Sequence, residues 1–193
     1  MQRFRKPKIG SSNLSVGTNW RMMMKVINVF GGPGSGKSTT AAGLFFEMKK
    51  KGCNVEYVTE YAKDMTWEER SNILDDQLYI LAKQNRRLAR LAKHKVEYVI
   101  TDSPLILGIV YALPSYYETF PIMVLEVFHS YNNTNFFIHR NTDNYSEIGR
   151  NQTLTEAMKI DCKMQQILAD SDINYQSVFT TTAVEEILVH LKL

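Results

Sequence analysis

The sequence predicts an α/β protein, a three-layer sandwich in which a parallel β-sheet is covered by helices on both faces. Two observations support this. Short apolar segments alternate with segments that carry helix signals, and a glycine-rich turn joins the first strand to the first helix. Strands that alternate with helices pair in parallel through right-handed crossovers. With 193 residues, of which 44% are hydrophobic, the chain can bury one sizeable core.

The strands are predicted where short apolar runs lie between turn signals. The first run, Lys-Val-Ile-Asn-Val-Phe, is typical of a short buried strand, and the third ends at Asp102-Ser103-Pro104. The predicted strands are 25–30, 55–59, 96–101, 135–139 and 175–179.

The helices are predicted from capping signals. Gly52 follows the first helix, where a C-terminal glycine is expected. Residues 66–69 and 153–156 match the capping-box pattern, and Pro121 stands where proline opens a helix after a loop-rich stretch. The predicted helices cover about 38–51, 66–94, 121 onward, 153–169 and 182 onward.

The net charge of +3 is unevenly placed. Residues 1–21 contain five basic residues and no acidic one, so the rest of the chain has 18 basic and 20 acidic residues, a net charge of −2. We expect a basic, flexible N-terminal extension over 1–21 and one domain over 22–193. The charge of that domain does not indicate a general nucleic-acid-binding surface. The basic residues of the extension are Arg3, Arg5, Lys6, Lys8 and Arg21.

The apolar stretches indicate neither a membrane protein nor a secreted one. The longest runs from Pro104 to Pro114 and is far shorter than the roughly 20 residues that a spanning helix needs. Polar residues follow the basic N-terminus, where a signal peptide would have an apolar region. Cys53 and Cys162 lack metal-ligand spacing and are interpreted as buried thiols. The expected location is the cytoplasm, or the host cytoplasm for a phage-encoded protein.

A nucleotide-binding motif follows the first strand. Residues 31–38, Gly-Gly-Pro-Gly-Ser-Gly-Lys-Ser, match the phosphate-loop pattern G-x-x-x-x-G-K-[ST]. Its glycines allow several backbone N–H groups to point at one polyphosphate. Lys37 supplies a cation for the β- and γ-phosphates, and Ser38 is placed to ligate Mg²⁺. The predicted ATP-binding residues are Gly32, Gly34, Ser35, Gly36, Lys37, Ser38 and Thr39.

Asp102 follows the third predicted strand and is interpreted as the acid that holds Mg²⁺ through water. The alternative is an aspartate that only caps the turn before Ser-Pro. Ser103 stands where ATPase motors usually carry a glutamate that orients water, and the guanine-reading motif N-K-x-D does not occur. Transfer of phosphate to a hydroxyl is therefore favoured over hydrolysis.

Glu60 lies at the carboxyl end of the second predicted strand. The carboxyl ends of parallel strands share one crevice with the phosphate loop. Glu60 is therefore the first candidate for a general base, with Asp64 as the second and a surface salt bridge as the structural alternative.

Two arginines bracket a predicted lid at about 140–152. The segment between Arg140 and Arg150 is polar and contains Gly149, as expected of a mobile loop. Both arginines are candidates for contact with the transferring phosphoryl group. The alternative is ordinary solvated surface charge.

Two further groups leave alternatives open. The first is an aromatic cluster, which either stacks an acceptor base or packs within a loop-rich cap; its members are Tyr111, Tyr116, Tyr117 and Phe120. The second lies on the helix predicted over 66–94 and faces either the acceptor or solvent; its members are Gln84, Arg86 and Arg87.

With these motifs in this order, residues 24–193 resemble the P-loop kinase superfamily. Residues 58–62, 101–105 and 145–152 look like small phage-type kinase-like ATPase domains related to polynucleotide kinase and nucleoside kinases. The resemblance implies sheet order 2-3-1-4-5, ATP with Mg²⁺, and an acidic base near Glu60. One branch of that group phosphorylates 5-hydroxymethyluracil in phage DNA. The arginine of the deoxynucleoside kinase signature is absent after Asp102, which argues against a simple deoxynucleoside kinase.

The predicted function is an ATP-dependent kinase that acts on a hydroxyl of a nucleotide-like acceptor. The preferred specific acceptor is 5-hydroxymethyluracil in phage DNA. One alternative is a kinase for a free nucleoside, a free nucleotide or nicotinamide riboside. Another is a nucleotide-dependent switch or ATPase associated with DNA. The sequence leaves the oligomeric state open.

Overall fold

The structure is a computed structural model that describes residues 20–140 and 153–193. Within these ranges it forms a five-stranded sheet in the order β2-β3-β1-β4-β5, with every adjacent pair parallel. This confirms the predicted α/β sandwich and its strand order. The elements are α1 Trp20–Met23, β1 Lys25–Phe30, α2 Lys37–Lys50, β2 Val55–Val58, α3 Tyr61–Trp67, a 3₁₀ turn Ser71–Ile73, α4 Gln77–Ala92, β3 Tyr98–Thr101, α5 Leu107–Tyr111, α6 Phe120–His129, β4 Asn132–His139, α7 Leu154–Asp170, β5 Gln176–Phe179 and α8 Ala183–Leu191.

The sheet separates two apolar layers. Alternate side chains of β1 point to opposite faces, so Val26 and Phe30 belong to one layer and Ile27 and Val29 to the other. Helices α4, α5, α6 and α7 cover the first layer, and α2 and α8 cover the second. The central strand is therefore buried on both faces, as a parallel strand in this architecture must be.

The register of the central strands places their carboxyl ends side by side. Thr101 of β3 pairs with Asn28 of β1 and with Val58 of β2. The buried amide of Asn28 donates to the side-chain oxygens of Asn133 (2.9 Å) and Asn135 (3.0 Å). These hydrogen bonds compensate the cost of burying a polar group and tie β1 to β4.

The predicted start of the helix over 66–94 is wrong. Thr66 lies inside α3, where its hydroxyl donates to the Ala62 carbonyl oxygen instead of capping a new helix. The chain then turns through Glu69, which has a φ of 56°. The residue that caps α4 is Asp76, ten positions after Thr66, and its carboxylate accepts from the Tyr79 backbone N–H at 3.1 Å.

Other predictions have mixed outcomes. The capping box of Thr153 and Glu156 is confirmed by both of its hydrogen bonds. The stretch predicted to be loop-rich before Pro121 contains the short helix α5. The interpretation of both cysteines as buried is wrong, because Cys53 is partly exposed and Cys162 is exposed.

Parts of the predicted domain organisation lie outside the described residues. These parts are residues 1–19 of the basic extension and 141–152 of the lid. Arg21, which was predicted to lie in the extension, belongs to α1 and stacks over the Tyr131 ring at 5.2 Å. In the described ranges, no helix combines the length and the apolar character needed to cross a bilayer.

The corrected start of α4 can be tested by comparing two cap candidates. Asp76→Ala should lower the free energy of unfolding by about 1 kcal/mol, because a backbone N–H of the first turn loses its acceptor. Thr66→Ala should change it by less than about 0.5 kcal/mol. Urea unfolding midpoints measure both, and a larger loss for Thr66→Ala would contradict this helix boundary.

Candidate active site

The phosphate loop connects β1 to α2 in the conformation that its glycines predict. Gly34 and Gly36 have φ values of 76° and 92°, which favour glycine. A Cβ at Gly36 would also lie 2.6 Å from the Thr180 side chain. No side chain caps the N-terminus of α2. The first-turn amides of this 14-residue helix are therefore available to an anion, as a phosphate loop requires.

Lys37, the first residue of α2, extends back along the loop. Its ammonium donates to the Gly32 carbonyl oxygen at 2.9 Å. Desolvation lowers the pKa of Lys37, and the negative charges of Glu60 and Asp102 oppose that shift. The cation and both predicted carboxylates are therefore close enough to interact, although they come from three different segments of the chain.

Asp102 lies directly after β3 and is buried. Its Oδ2 accepts from the Tyr57 hydroxyl at 2.8 Å, whereas its Oδ1 is buried with no partner among the described residues. Burial and the nearby Asp102 carboxylate raise the pKa of Tyr57, so the phenol remains a donor at neutral pH. One oxygen of Asp102 is thus held in place and the other is available.

This arrangement fits the Mg²⁺ ion that a phosphate loop uses. Mg²⁺ prefers oxygen ligands and keeps several waters. The Ser38 hydroxyl is close enough to Tyr57 to influence its pKa, so Ser38 and Asp102 both lie near the same phenol. No cluster of three or more His, Cys, Asp or Glu side chains suited to a metal occurs in the described residues.

Glu60 lies between β2 and α3, at the same edge of the sheet. Burial raises the pKa of Glu60, Lys37 opposes that shift and Asp102 adds to it. Helix α4 holds the residues on both sides of Glu60. Gln84 accepts from the Tyr61 N–H at 3.1 Å, and Gln84 and Arg87 donate to the Thr59 carbonyl oxygen at 3.3 Å and 3.0 Å. Gln84 and Arg87 thus position the turn that carries Glu60.

Asp64, the second candidate base, is engaged elsewhere. It forms an ion pair with Arg87 at 2.5 Å, and the Arg87 guanidinium also lies over the Tyr61 ring. Glu60 therefore remains the carboxylate that the cleft presents beside Lys37.

Arg140 follows β4 and is directed at the base of the phosphate loop. It binds Asp161 of α7 through two nitrogens, Nε at 2.8 Å and an Nη at 2.5 Å, and donates to the Pro33 carbonyl oxygen at 2.9 Å. The other Asp161 oxygen accepts from the Gly32 N–H at 2.5 Å. The side chains of the pair are only 6% and 17% exposed. The pair therefore anchors the loop. The Gly32 N–H donates to Asp161 in this structure, and its contact with phosphate stays a prediction.

The remaining predicted site residues lie as follows. Ser35 is buried, and its hydroxyl has no hydrogen-bond partner among the residues that the structure describes, whereas Ser38 and Thr39 are exposed on the wall of the cleft. Arg150 lies outside the described residues, so its contact with phosphate stays a prediction. For Arg140 the structure shows a contact with the loop, and a contact with the transferring phosphoryl group stays a prediction as well.

A cleft of about 540 Å³ runs from the phosphate loop past Glu60 between α3, α4 and α5. Such a volume is typical of a small-molecule site. The aromatic cluster divides between two roles. Tyr111 lines the cleft, whereas Tyr116 packs edge-on against Tyr117 and Phe120, each at 5.0 Å.

Sequence reasoning missed three residues of this site: Tyr57, Asp161 and Gln77, the last of which lines the cleft. Tyr57 contacts Asp102 across 45 positions, and Asp161 contacts Gly32 across 129 positions. No local spacing signals such contacts. The one available signal was the hydroxyl of Tyr57 within a predicted strand. A buried tyrosine hydroxyl usually forms a hydrogen bond, so a polar partner for Tyr57 could have been expected.

Comparison with known proteins is consistent with this geometry. A family model described as an AAA domain matches residues 26–186. The fold is similar to that of NadR, solved in complex with NR, with a TM-score of 0.71 and 18% identity over 90% of this chain. The chain spans about half of that protein, 53%. It is also similar to thymidylate kinase from Ehrlichia chaffeensis, with a TM-score of 0.60 and 14% identity over 87% of this chain and 99% of the other. No curated protein gave a match.

The anchor formed by Arg140 and Asp161 can be tested by unfolding. Asp161→Ala should lower the free energy of unfolding by about 3 kcal/mol or more, because it leaves a buried guanidinium without its carboxylate. The double variant Arg140→Leu with Asp161→Leu should lose less, because no unpaired charge is buried.

Asp170→Ala, on the exposed end of the same helix, is the matched control and should change the free energy by less than about 0.5 kcal/mol. Denaturant unfolding measures all three variants. Equal losses for Asp161→Ala and Asp170→Ala would show that the pair does not anchor the loop.

Proposed function

We propose that this chain, which belongs to the AAA domain family, is a P-loop kinase that transfers the γ-phosphate of ATP to a hydroxyl of a nucleotide-like acceptor. One observation carries the proposal: the cleft does not end at the phosphate loop but continues past Glu60 to Gln77 and Tyr111. A hydrolase needs space for a water molecule next to the γ-phosphate, whereas a kinase needs space for a second substrate. The extended cleft favours a kinase.

In this proposal the residues of the site bind the phosphates, hold Mg²⁺ and accept a proton. The first-turn amides of α2 and the Lys37 ammonium bind the phosphates, while Ser38 and Asp102 would hold Mg²⁺, which neutralises phosphate charge. The Glu60 carboxylate accepts the proton of the acceptor hydroxyl. The acceptor oxygen then bonds to the γ-phosphorus as the bond to the bridging β,γ-oxygen breaks, and ADP leaves.

The more specific acceptor, 5-hydroxymethyluracil in phage DNA, is supported by the resemblance of residues 58–62, 101–105 and 145–152 to phage-type kinase-like domains. If this acceptor is correct, DNA is a partner of the protein and the host cytoplasm is its location. The second candidate is a free nucleoside, a free nucleotide or nicotinamide riboside.

The reaction class can be tested with ATP labelled at the γ-phosphate. Wild-type protein should move the label to an organic acceptor, and Lys37→Ala should lower the rate by more than about 10²-fold, because the transition state loses its fixed cation. Lys51→Ala, which changes an exposed lysine just after α2, is the matched control. Label recovered only as inorganic phosphate would exclude a kinase.

The role of Glu60 predicts the pH dependence of the rate. Glu60 must be ionised to accept a proton, and its pKa is raised, so kcat/KM should fall as the pH decreases, with an apparent pKa above the usual glutamate value of about 4.3. Glu60→Gln should lower the rate by about 10²–10⁴-fold and remove that acidic limb. Glu118→Gln, at an exposed loop, serves as the control and should keep the profile. An unchanged limb in Glu60→Gln would assign the titration to another group.

A further inference from the structure

We propose that the outer face of α4 is a docking surface for the phosphate backbone of single-stranded DNA and leads the strand towards Glu60. The surface is the α4 basic stripe, which we define as Lys83, Arg86, Arg90 and Lys93. This inference rests on the proposed function for its acceptor, a base in DNA, and adds a surface outside the cleft that holds the strand. Binding can be measured without ATP, so the two can fail separately.

Basic residues are concentrated in α4 and the turn after it. Residues 77–96 contain six basic residues and no acidic one. Since residues 22–193 have 18 basic and 20 acidic residues, the rest of that domain has 12 basic and 20 acidic ones. The small net charge of the domain thus combines +6 in this stretch with −8 elsewhere. Such a concentration of positive charge attracts polyanions to one helix.

The stripe lies on one side of the helix. Its members are spaced i, i+3, i+7 and i+10, so they fall within an arc of about 80° at 3.6 residues per turn. Arg86, Arg90 and Lys93 are exposed, whereas the other side of α4 packs into the core through Leu81 and Leu88. The stripe is therefore directed at solvent.

The exposed cations of the stripe are not neutralised within the described part of the chain. Among those residues, Arg86, Arg90 and Lys93 form no ion pair. Arg86 and Arg90, four positions apart, are a like-charge pair of the kind that destabilises a helix. Solvent-exposed helices usually carry charges of both signs, which avoids this repulsion. A bound polyanion would relieve it.

Two tyrosines order the end of the stripe that lies nearest the cleft. The Lys83 ammonium lies 5.0 Å from the centre of the Tyr79 ring and 6.0 Å from that of Tyr61. A hydrogen bond of 3.2 Å joins the two tyrosine hydroxyls. These contacts restrict the lysine side chain, which reduces the entropy that binding costs. The neighbouring Arg87 is paired with Asp64 and is not counted in the stripe.

The stripe runs from the amino edge of the sheet to the cleft. At the amino edge, the Lys95 carbonyl oxygen accepts from the side chain of Asn54, the residue before β2, at 3.1 Å. At the other end, Lys83 contacts the ring of Tyr61, which directly follows Glu60. A strand that lies along the stripe therefore approaches the proposed general base.

The dimensions of the stripe fit one strand. At a rise of about 1.5 Å per residue, Lys83 and Lys93 are about 15 Å apart, so a cation recurs about every 5 Å. The phosphates of one DNA strand recur about every 3.4 Å in a duplex and are further apart in an extended strand. The cleft of about 540 Å³ admits a base but not a duplex. Enzymes that modify bases accordingly act on single strands or on bases taken out of the stack.

The surface suits a membrane or an acidic protein less well. A helix that binds a membrane surface inserts an apolar face into the lipid, but the large apolar side chains of α4 pack into the core. Protein interfaces usually have an apolar centre within a polar rim. Among the described residues, no large exposed hydrophobic side chain belongs to α4. A row of cations without such a centre matches a phosphate backbone.

Binding is tested by fluorescence anisotropy with full-length protein and a labelled thymidine oligonucleotide, without ATP. If each member of the stripe contacts one phosphate, the logarithm of the affinity should fall with the logarithm of the salt concentration with a slope of about −2.8 or steeper. Arg86→Gln combined with Arg90→Gln should make that slope shallower by about 1.4 and weaken binding by about 20-fold at about 0.1 M salt.

The matched control combines Lys51→Gln with Lys192→Gln, which removes the same charge at exposed positions after α2 and α8, on the other face of the sheet. Both double variants keep residues 1–21, so the basic residues of that segment cannot account for a difference. The control should retain the affinity and the slope of the wild type. Equal losses in the two double variants, or no binding by the wild type, would overturn the proposed surface.

Two competitors test the identity of the occupant. Polyglutamate and phosphatidylserine vesicles, at the same concentration of charge, should displace the oligonucleotide at least about 10-fold less well than unlabelled oligonucleotide, because neither offers phosphates along an extended strand. Equal competition by either would assign the stripe to that polyanion and overturn DNA as its occupant.

Kinetics connect the stripe to the proposed reaction. With labelled ATP and an oligonucleotide that contains 5-hydroxymethyluracil, Arg86→Gln with Arg90→Gln should raise KM for the oligonucleotide by about 10-fold or more. KM for ATP and kcat should not change, because neither arginine lines the cleft. An unchanged KM for the oligonucleotide, or transfer to free nucleosides only, would overturn the role of the stripe and leave the kinase function standing. Release of inorganic phosphate alone would overturn the kinase function, while anisotropy would still decide whether the stripe binds DNA.

Discussion

The parallel register of the five strands is the constraint on which the site depends. Because β2, β3, β1, β4 and β5 run in one direction, their carboxyl ends lie along a single edge of the sheet. Each of the four strands β2, β3, β1 and β4 supplies one part of the site at that edge: Glu60, Asp102, the phosphate loop and Arg140. Residues more than 100 positions apart thereby contact one another without any long loop that would have to be ordered.

The site keeps several polar groups available at a cost in stability. The first-turn amides of α2 lack a side-chain cap, and Asp102 Oδ1 is buried without a described partner. Neighbouring contacts hold these groups in place. Tyr57 fixes one Asp102 oxygen, the Arg140–Asp161 pair fixes the loop, and α4 fixes both residues that flank Glu60. The groups are thus oriented before any ligand binds, which limits the reorganisation that binding would need.

Much of this could be predicted where the signal is local. The phosphate loop is one uninterrupted motif, and its Gly31, Gly34 and Gly36 have positive φ values. Asp102 and Glu60 could be placed because each directly follows a strand. The start of α4 could not be placed, because Thr66 and Asp76 are both acceptable caps by sequence, and only the turn at Glu69 decides between them. The role of Arg140 was ambiguous for a similar reason, since its partner Asp161 lies on another element.

The sequence by itself determined the fold class, the nucleotide-binding loop and the identity of the acidic residues around it, because periodicity and motif spacing are properties of neighbouring residues. The tertiary structure decided which of those residues share a site. It paired Tyr57 with Asp102, turned Arg140 towards Asp161, removed Asp64 from the cleft and placed Gln77 at its far end. Such pairings depend on how helices pack over the sheet, and no short stretch of sequence encodes that packing.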